Sequence, residues 1–244
     1  MFERGVAIVT LTKWGVPTSM NIANALGKTQ IKCKLYAPRQ LCSGSMSPFD
    51  GNPRDQFAKL FNDFDAIIAV MAVGIVVRSI ATLIANKKTD PAVVVVDDLG
   101  KYAISLLSGQ IRGANRLAKI VAKEIGAIPV VTTATELLGK KSVEEIAEEH
   151  NLNLVNFESL TLVNSAIVNE RRILVAAIGG VACPKIENAD PKSISNIDQL
   201  KEMMKNYDAG IVISPTILPL EGLTKSVALL ITKLSTRSPE ESSP

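Results

Sequence analysis

Strand-like and helix-like apolar patterns alternate along the first 135 residues. GVAIVTL reads as a buried strand, and VPTSMNIANALGK behind it carries apolar residues at helical spacing. IKCKLY alternates apolar and polar positions, as a half-exposed strand does. Ser43–Pro53 (SGSMSPFDGNP) is rich in turn formers and is expected to be a surface loop. PRDQFAKLFNDF predicts a short amphipathic helix with Pro53 in its first turn. The long apolar run that follows splits at Ala72–Gly74, into a strand over Ala66–Met71 and a helix over Ile75–Ala85. The four consecutive valines of AVVVVDD mark a strand covered on both faces. YAISLL predicts another strand, RGANRLAKIVAKEIG a helix ending on Gly126, and IPVVTTAT a further strand.

Beyond Thr135 the character changes. SVEEIAEEH predicts an acidic helix with Ser142 as N-cap and Glu145 at capping-box spacing. A helix near Leu160–Val168, a strand in RILVAAI, a loop around Cys183–Lys192, a helix in IDQLKEMMKN, a strand in AGIVIS and the apolar run VALLITKL follow. This alternation predicts an α/β fold with a mainly parallel sheet and flanking helices, followed by a second, smaller α/β domain. The expected division is residues 1–136, residues 137–234, and a polar tail over 235–244 expected to be disordered.

Composition narrows the function classes. The 244 residues are 47% hydrophobic and 21% charged, with a net charge of +3. Nothing in that balance resembles the clustered basic face that nucleic acid requires. Cys33, Cys42 and Cys183 are scattered, with no C-x-x-C pair, which points to reduced thiols and a cytoplasmic location. The longest apolar stretch, Ala66–Val77, is well short of the roughly 20 residues of a membrane helix, so no membrane partner is expected.

Four segments could carry chemistry. In MAVGIVVRSI a strand runs through Gly74 into a helix, whose start favours anions; Arg78, one turn on, could add a carboxylate contact. The alternative is a tight turn with Arg78 facing solvent. In VVVVDDLGKY, Asp97 and Asp98 follow a buried strand and could activate a water, or DDLGK could simply be a hairpin turn. In LLSGQIRGAN, Ser108 and Gly109 follow a strand and Gly113–Asn115 open a helix, with Arg112 and Arg116 one turn apart. The spacing matches neither the dinucleotide fingerprint nor a Walker loop. In TTATE, Thr132 and Thr133 place hydroxyls at a strand end, where they could bond a ligand or simply cap the next element. The one histidine, His150, ends a charged helix and has no neighbours suited to a catalytic triad or a zinc site, so no protein metal ligands are expected.

MAVGIVVRSIA, KKTDPAVVVVDD, ISLLSGQIRGAN and PVVTTATE, in that order and spacing, resemble the N-terminal region of the CbiG family of cobalamin biosynthesis, the cobalt-precorrin-5A hydrolases. The resemblance spans roughly Asp55 to Glu136, and residues 137–232 look more loosely like the family's linking domain. It implies a hydrolase that opens the δ-lactone of a cobalt-bearing macrocycle and releases acetaldehyde. Cobalt would arrive inside the anionic tetrapyrrole substrate, so no separate cofactor is expected. Gly74, Arg78, Ser108, Gly109, Arg112, Gly113, Asn115, Arg116, Thr132 and Thr133 are then expected to bind substrate. Asp97 or Asp98 would activate water, and amides near Gly109 and Gly113 would hold the oxyanion.

Three departures accompany the resemblance. The family usually reads S-G-H-x-G-G-A-N, where this chain has Gln110 for histidine and Arg112 for glycine. Gln110 can hydrogen-bond but not exchange a proton near neutral pH. Thr82 stands where the family commonly has proline. The family's C-terminal domain is expected to have no counterpart after VALLITKL, so either another polypeptide supplies it or this protein does something reduced. The alternative function is a catalytically reduced tetrapyrrole-binding protein or subunit.

Overall fold

The computed structural model describes residues 2–223 and 226–232; the tail expected over 235–244 lies outside the described residues. The chain divides after Thr133 into two compact units.

The first unit is built on seven strands: β1 (Val6–Thr10), β2 (Cys33–Pro38), β3 (Ser47–Phe49), β4 (Ala66–Val70), β5 (Ala92–Val96), β6 (Tyr102–Leu107) and β7 (Ile128–Val130). Their order in the sheet is β3-β2-β1-β4-β5-β6-β7. All pairings are parallel except β5 with β6, where Val96 lies opposite Ala103 and Val93 opposite Leu107. Four helices cover the sheet: α1 (Gly15–Lys28), α2 (Pro53–Asp63), α3 (Val73–Ile80) and α4 (Ala114–Ile125).

The continuous apolar strands follow from having a core on each face. Val6, Ile8, Ile68, Val94 and Val96 point to one face, where Ile22 and Leu26 of α1 and Leu117 and Val121 of α4 meet them. Ala7, Val9, Ile67, Val93 and Val95 point to the other, against Phe57 and Leu60 of α2 and Val76 and Ile80 of α3. Because α1 and α2 take opposite faces, the winding reverses between β1 and β4. Such a switch point opens a crevice at the carboxyl ends of the two strands.

The second unit carries α5 (Ala134–Leu137), α6 (Val143–Glu149), β8 (Leu152–Leu154), α7 (Leu160–Val168), β9 (Ile173–Ile178), β10 (Ala189–Ile194), α8 (Ile197–Met204), β11 (Ala209–Ser214) and β12 (Val227–Thr232). Its sheet runs β10-β9-β11-β12-β8, with only β8 antiparallel. Leu174, Ala176, Val212 and Leu229 form its core with Leu200 of α8. The α/β class with flanking helices and mainly parallel sheets is therefore what the chain adopts in both units.

Several local expectations are corrected. The Ser43–Pro53 segment contains the edge strand β3, and the Cys183–Lys192 loop gives way to the edge strand β10. Both contain a proline, Pro48 and Pro191, which an edge strand tolerates and turn statistics count against it. β8 was masked by its polar centre, Asn153. Helix α3 starts at Val73 and stops at Ile80, not Ala85. The Asp90 carboxylate accepts the amides of Ala85 and Asn86 at 3.0 Å each, which fixes that segment as a loop.

Helix α6 has the capping box its sequence predicts: the Ser142 hydroxyl accepts the Glu145 amide, and the Glu145 carboxylate accepts the Ser142 amide. Replacing Ser142 with alanine is expected to lower the stability of the second unit by about 1 kcal/mol. Glu145→Gln keeps an acceptor and is expected to cost less. Thermal unfolding of the two variants followed by circular dichroism checks the ranking.

Candidate active site at the carboxyl edge of the first sheet

At the switch point, the segments following β1, β4 and β5 lie side by side, because these three strands are parallel neighbours. After β1 the chain reads Leu11-Thr12-Lys13-Trp14 and enters α1 at Gly15. After β4 it passes Met71 and Ala72 into α3, whose N-cap has no side-chain hydrogen bond. After β5 come Asp97 and Asp98. Two helix starts, with their outward amides, thus face one crevice.

The two aspartates differ. Asp97 closes the β5–β6 hairpin: its carboxylate accepts the Leu99 amide at 3.0 Å and the Tyr102 amide at 2.7 Å. Its carbonyl also accepts the amide of Gly100, so both carboxylate oxygens and the main chain serve the turn. The water-activating role considered for Asp97 is therefore corrected to that of a hairpin brace. Asp98 points the other way. Its Oδ1 accepts the Thr12 hydroxyl at 2.9 Å, and that hydroxyl accepts the Gly15 amide at 2.9 Å. The Asp98 carbonyl accepts the Thr18 hydroxyl at 2.7 Å. Among the described residues, Oδ2 of Asp98 has no partner, leaving one oriented carboxylate oxygen at the crevice.

Gly15 is dictated by this arrangement. A β-carbon there would lie 2.4 Å from Thr10 Oγ1 and 2.7 Å from Asp98 Oδ1. Thr10 Oγ1 is itself buried without a hydrogen-bond partner among the described residues. Arg78, in the last turn of α3, reaches back along the helix and donates to the Gly74 carbonyl at 3.2 Å, which brings its guanidinium toward the helix start at the carboxyl edge. Trp14 is 65% exposed and Leu99 82%, with Val73 also exposed; these apolar residues follow β1, β5 and β4 and so sit around the same crevice. Lys13 stands 5.0 Å above the Trp14 ring.

The remaining predicted residues are elsewhere. Because β6 is antiparallel to β5, its carboxyl end lies at the amino edge of the sheet. Ser108, Gly109, Gln110, Arg112, Gly113, Asn115, Thr132 and Thr133 follow β6 or β7 and gather at that edge, about 17 Å, one strand length, from Asp98. The expected single site built from Asp98 and the Gly109–Gly113 amides is thus corrected: the hairpin separates them.

Nor is the 108–115 loop an open anion cradle. The amides of Ala114 and Asn115 donate to the carbonyls of Ser108 and Gly109, and the Gly113 amide to Gln110. The loop caps its own helix. Gly109 is needed because Asn115 Oδ1 would lie 2.5 Å from its β-carbon. Asn115 Oδ1 accepts the Ser105 hydroxyl, and its amide donates to Thr133. Arg112 donates to Asp65 Oδ1 at 3.0 Å and joins Arg4, whose Nε and backbone amide also bind Asp65. Arg112 is therefore a fold lock at the starts of β1 and β4. Arg116 lies on the exposed side of α4, in a groove with Phe2 and Lys32.

Sequence reasoning missed the Thr12–Gly15 loop. A polar run and a glycine directly after the first buried strand were the available signal, and only the strand order gives it meaning. Among the described residues, no helix is long and apolar enough to cross a membrane.

Residues 55–136 match the family described as cobalamin synthesis G N-terminal, and residues 141–230 match the cobalamin biosynthesis central region. A cobalt-precorrin-5A hydrolase from Priestia megaterium is 36% identical over 184 residues, covering 73% of this chain and 48% of its own length. The protein of the same name from Salmonella typhimurium LT2 is 34% identical over 169 residues, covering 69% of this chain and 47% of its own. The chain spans about half the length of these curated relatives. A crystal structure of a cobalamin biosynthesis protein G homolog from Sulfolobus solfataricus superposes with a TM-score of 0.53 at 23% identity, covering 94% of this chain and 60% of that one. At that identity the likeness speaks for the fold.

The Asp65 lock makes a pH-dependent contribution. Burial acts to raise the Asp65 carboxyl, but the Arg4 amide, the Arg4 guanidinium and Arg112 outweigh it and hold it below the usual carboxylate range. With the folded value depressed, the stabilisation is complete above the unfolded value of about 3.9 and is lost as pH falls through the folded one. Asp65→Asn is expected to cost about 1–3 kcal/mol at neutral pH and to flatten the acid limb of a plot of Tm against pH.

Proposed function

The chain belongs to the CbiG family of cobalamin biosynthesis proteins, and on that premise we propose that it is a cobalt-precorrin-5A hydrolase whose crevice at the β1/β4 switch point holds the substrate. The observation that carries this reading is Asp98. Its carboxylate is fixed by Thr12, presents one unpartnered oxygen, and stands between two helix starts and a rim of exposed apolar residues.

A macrocycle with carboxylate arms needs an apolar surface for its face and positive potential for its edge. Trp14, Val73 and Leu99 supply the first. Lys13, Arg78 and the amides at the start of α3 supply the second. Asp98 Oδ2 takes a proton from water as the water oxygen adds to the lactone carbonyl. The carbonyl π pair moves onto oxygen, where the α3 start and Arg78 stabilise it. Collapse re-forms the carbonyl, breaks the ring C–O bond, and returns the proton to the departing alkoxide. The freed hydroxyl belongs to the two-carbon fragment. Its deprotonation lets the carbon–carbon bond to the macrocycle break, giving acetaldehyde and a macrocycle carbon that takes up a proton.

Thr12 acts as a positioning residue in this scheme, and Asp97 keeps Asp98 in place by bracing the turn. A cytoplasmic location is part of the same reading, supported by three free thiols.

The test is acetaldehyde release from cobalt-precorrin-5A, by the chain alone and with the unmatched half of a full-length relative added in trans. Asp98→Asn is expected to lower turnover by about 10²–10⁴-fold with substrate still bound. Asp97→Asn is expected to lower stability more than turnover. No acetaldehyde in either arrangement would overturn the hydrolase reading; retained binding by visible absorbance would then support a tetrapyrrole-binding protein instead. Turnover unchanged in Asp98→Asn would remove Asp98 from the mechanism.

A further inference from the structure

The second unit contains a cavity of ≈ 360 Å³ at the amino edge of its sheet. It lies where the ends of α6 and α7 meet the start of β9 and the segment leading into β10. That volume is within the range of small-ligand sites. We propose that this cavity is a binding site for a small amphiphilic monocarboxylate, a site separate from the chemistry assigned to the first unit.

Its lining has two parts. Four isoleucines, Ile146, Ile167, Ile173 and Ile186, give it an apolar floor. Ile146 and Ile173 are buried, 1% and 6% exposed, so the floor is continuous with the unit's interior. An inorganic anion would leave this surface wet, whereas an aliphatic chain covers it.

The rim is charged, and most of its charge is already matched. Lys140 binds Glu170 at 2.9 Å and also donates to the carbonyls of Ile167 and Val168 at the end of α7. Lys141 binds Glu149 at 2.7 Å. Arg171 and Lys185 also line the cavity, and among the described residues neither ion-pairs with a carboxylate. Glu187 is the one rim carboxylate left to set against these two cations, so the unmatched charge is a single positive one. One carboxylate on an apolar body complements both features: the guanidinium of Arg171 can take it in two parallel hydrogen bonds, and Lys185 adds a point charge. A dianion would exceed the unmatched charge, and an amine would meet the wrong sign.

His150, the one histidine of the chain, lines the same cavity and is exposed enough to be observed. Its imidazole resonances therefore report occupancy without any label-induced change. The experiment is a titration of the full chain with hexanoate, followed by the His150 imidazole signals at constant pH and ionic strength. Hexanol, hexylammonium and inorganic phosphate serve as matched probes. Saturable movement with hexanoate, and at least about tenfold weaker effects from the other three, is expected. The double variant Arg171→Gln, Lys185→Gln is expected to weaken hexanoate about tenfold while the ligand-free His150 signal stays in place. Should that double variant fold poorly, Lys185→Gln alone, in an exposed loop, carries the same test with a smaller loss. No saturable shift with hexanoate would overturn the proposal. Equal response to hexanol would overturn its charge element, and equal response to phosphate its apolar element.

Discussion

The reversal between β5 and β6 controls the layout of the first unit, and the Asp97 carboxylate holds it. With both oxygens engaged by the amides of Leu99 and Tyr102, the chain turns back on itself through the five residues 97–101 that follow a fully buried strand. β6 then runs against its neighbour, α4 leaves from the opposite edge, and α4 packs beside α1 on a shared core. Without that turn, a sixth parallel strand would carry the 108–115 loop to the side of Asp98. The fold instead gives the two ends of one sheet different work.

Those ends differ in electrostatic character. The amino edge is largely matched internally: Asp65 is shared by Arg4 and Arg112, the helix start of α4 is closed by its own loop, and Asn115 ties Ser105 to Thr133, while Ser108 Oγ and Arg112 Nε are buried there without a hydrogen-bond partner among the described residues. The carboxyl edge leaves polar capacity open, in one oxygen of Asp98 and in the start of α3, which has no side-chain cap. Gln110 belongs to the amino edge, about one strand length from the Asp98 carboxylate.

Much of the architecture was legible in the residues. Unbroken apolar runs such as the four valines of β5 announced strands buried on both faces, and Ser142, Glu145 and Gly126 marked helix ends where the structure has them. The direction of β6 was not legible, because a strand's alternation of apolar and polar positions reads the same either way. The choice rested on whether DDLGK was a hairpin turn, which its Asp and Gly favour and the structure shows. The edge strands β3 and β10 were hidden by their prolines. The Thr12–Gly15 segment became visible only with the strand order, since the meaning of a loop after the first strand depends on which strand lies beside it. The constraint on Gly15, squeezed between Thr10 and Asp98, is likewise a tertiary fact.

Trp14 has a practical consequence. It is the chain's single tryptophan, and at 65% exposure it stands at the mouth of the switch-point crevice. Intrinsic fluorescence of this protein therefore comes, above the weaker light of three tyrosines, from one indole at one place. A strongly coloured macrocycle lying against that ring would drain its excited state by energy transfer. The molecule thus carries its own optical gauge of whether the crevice is filled.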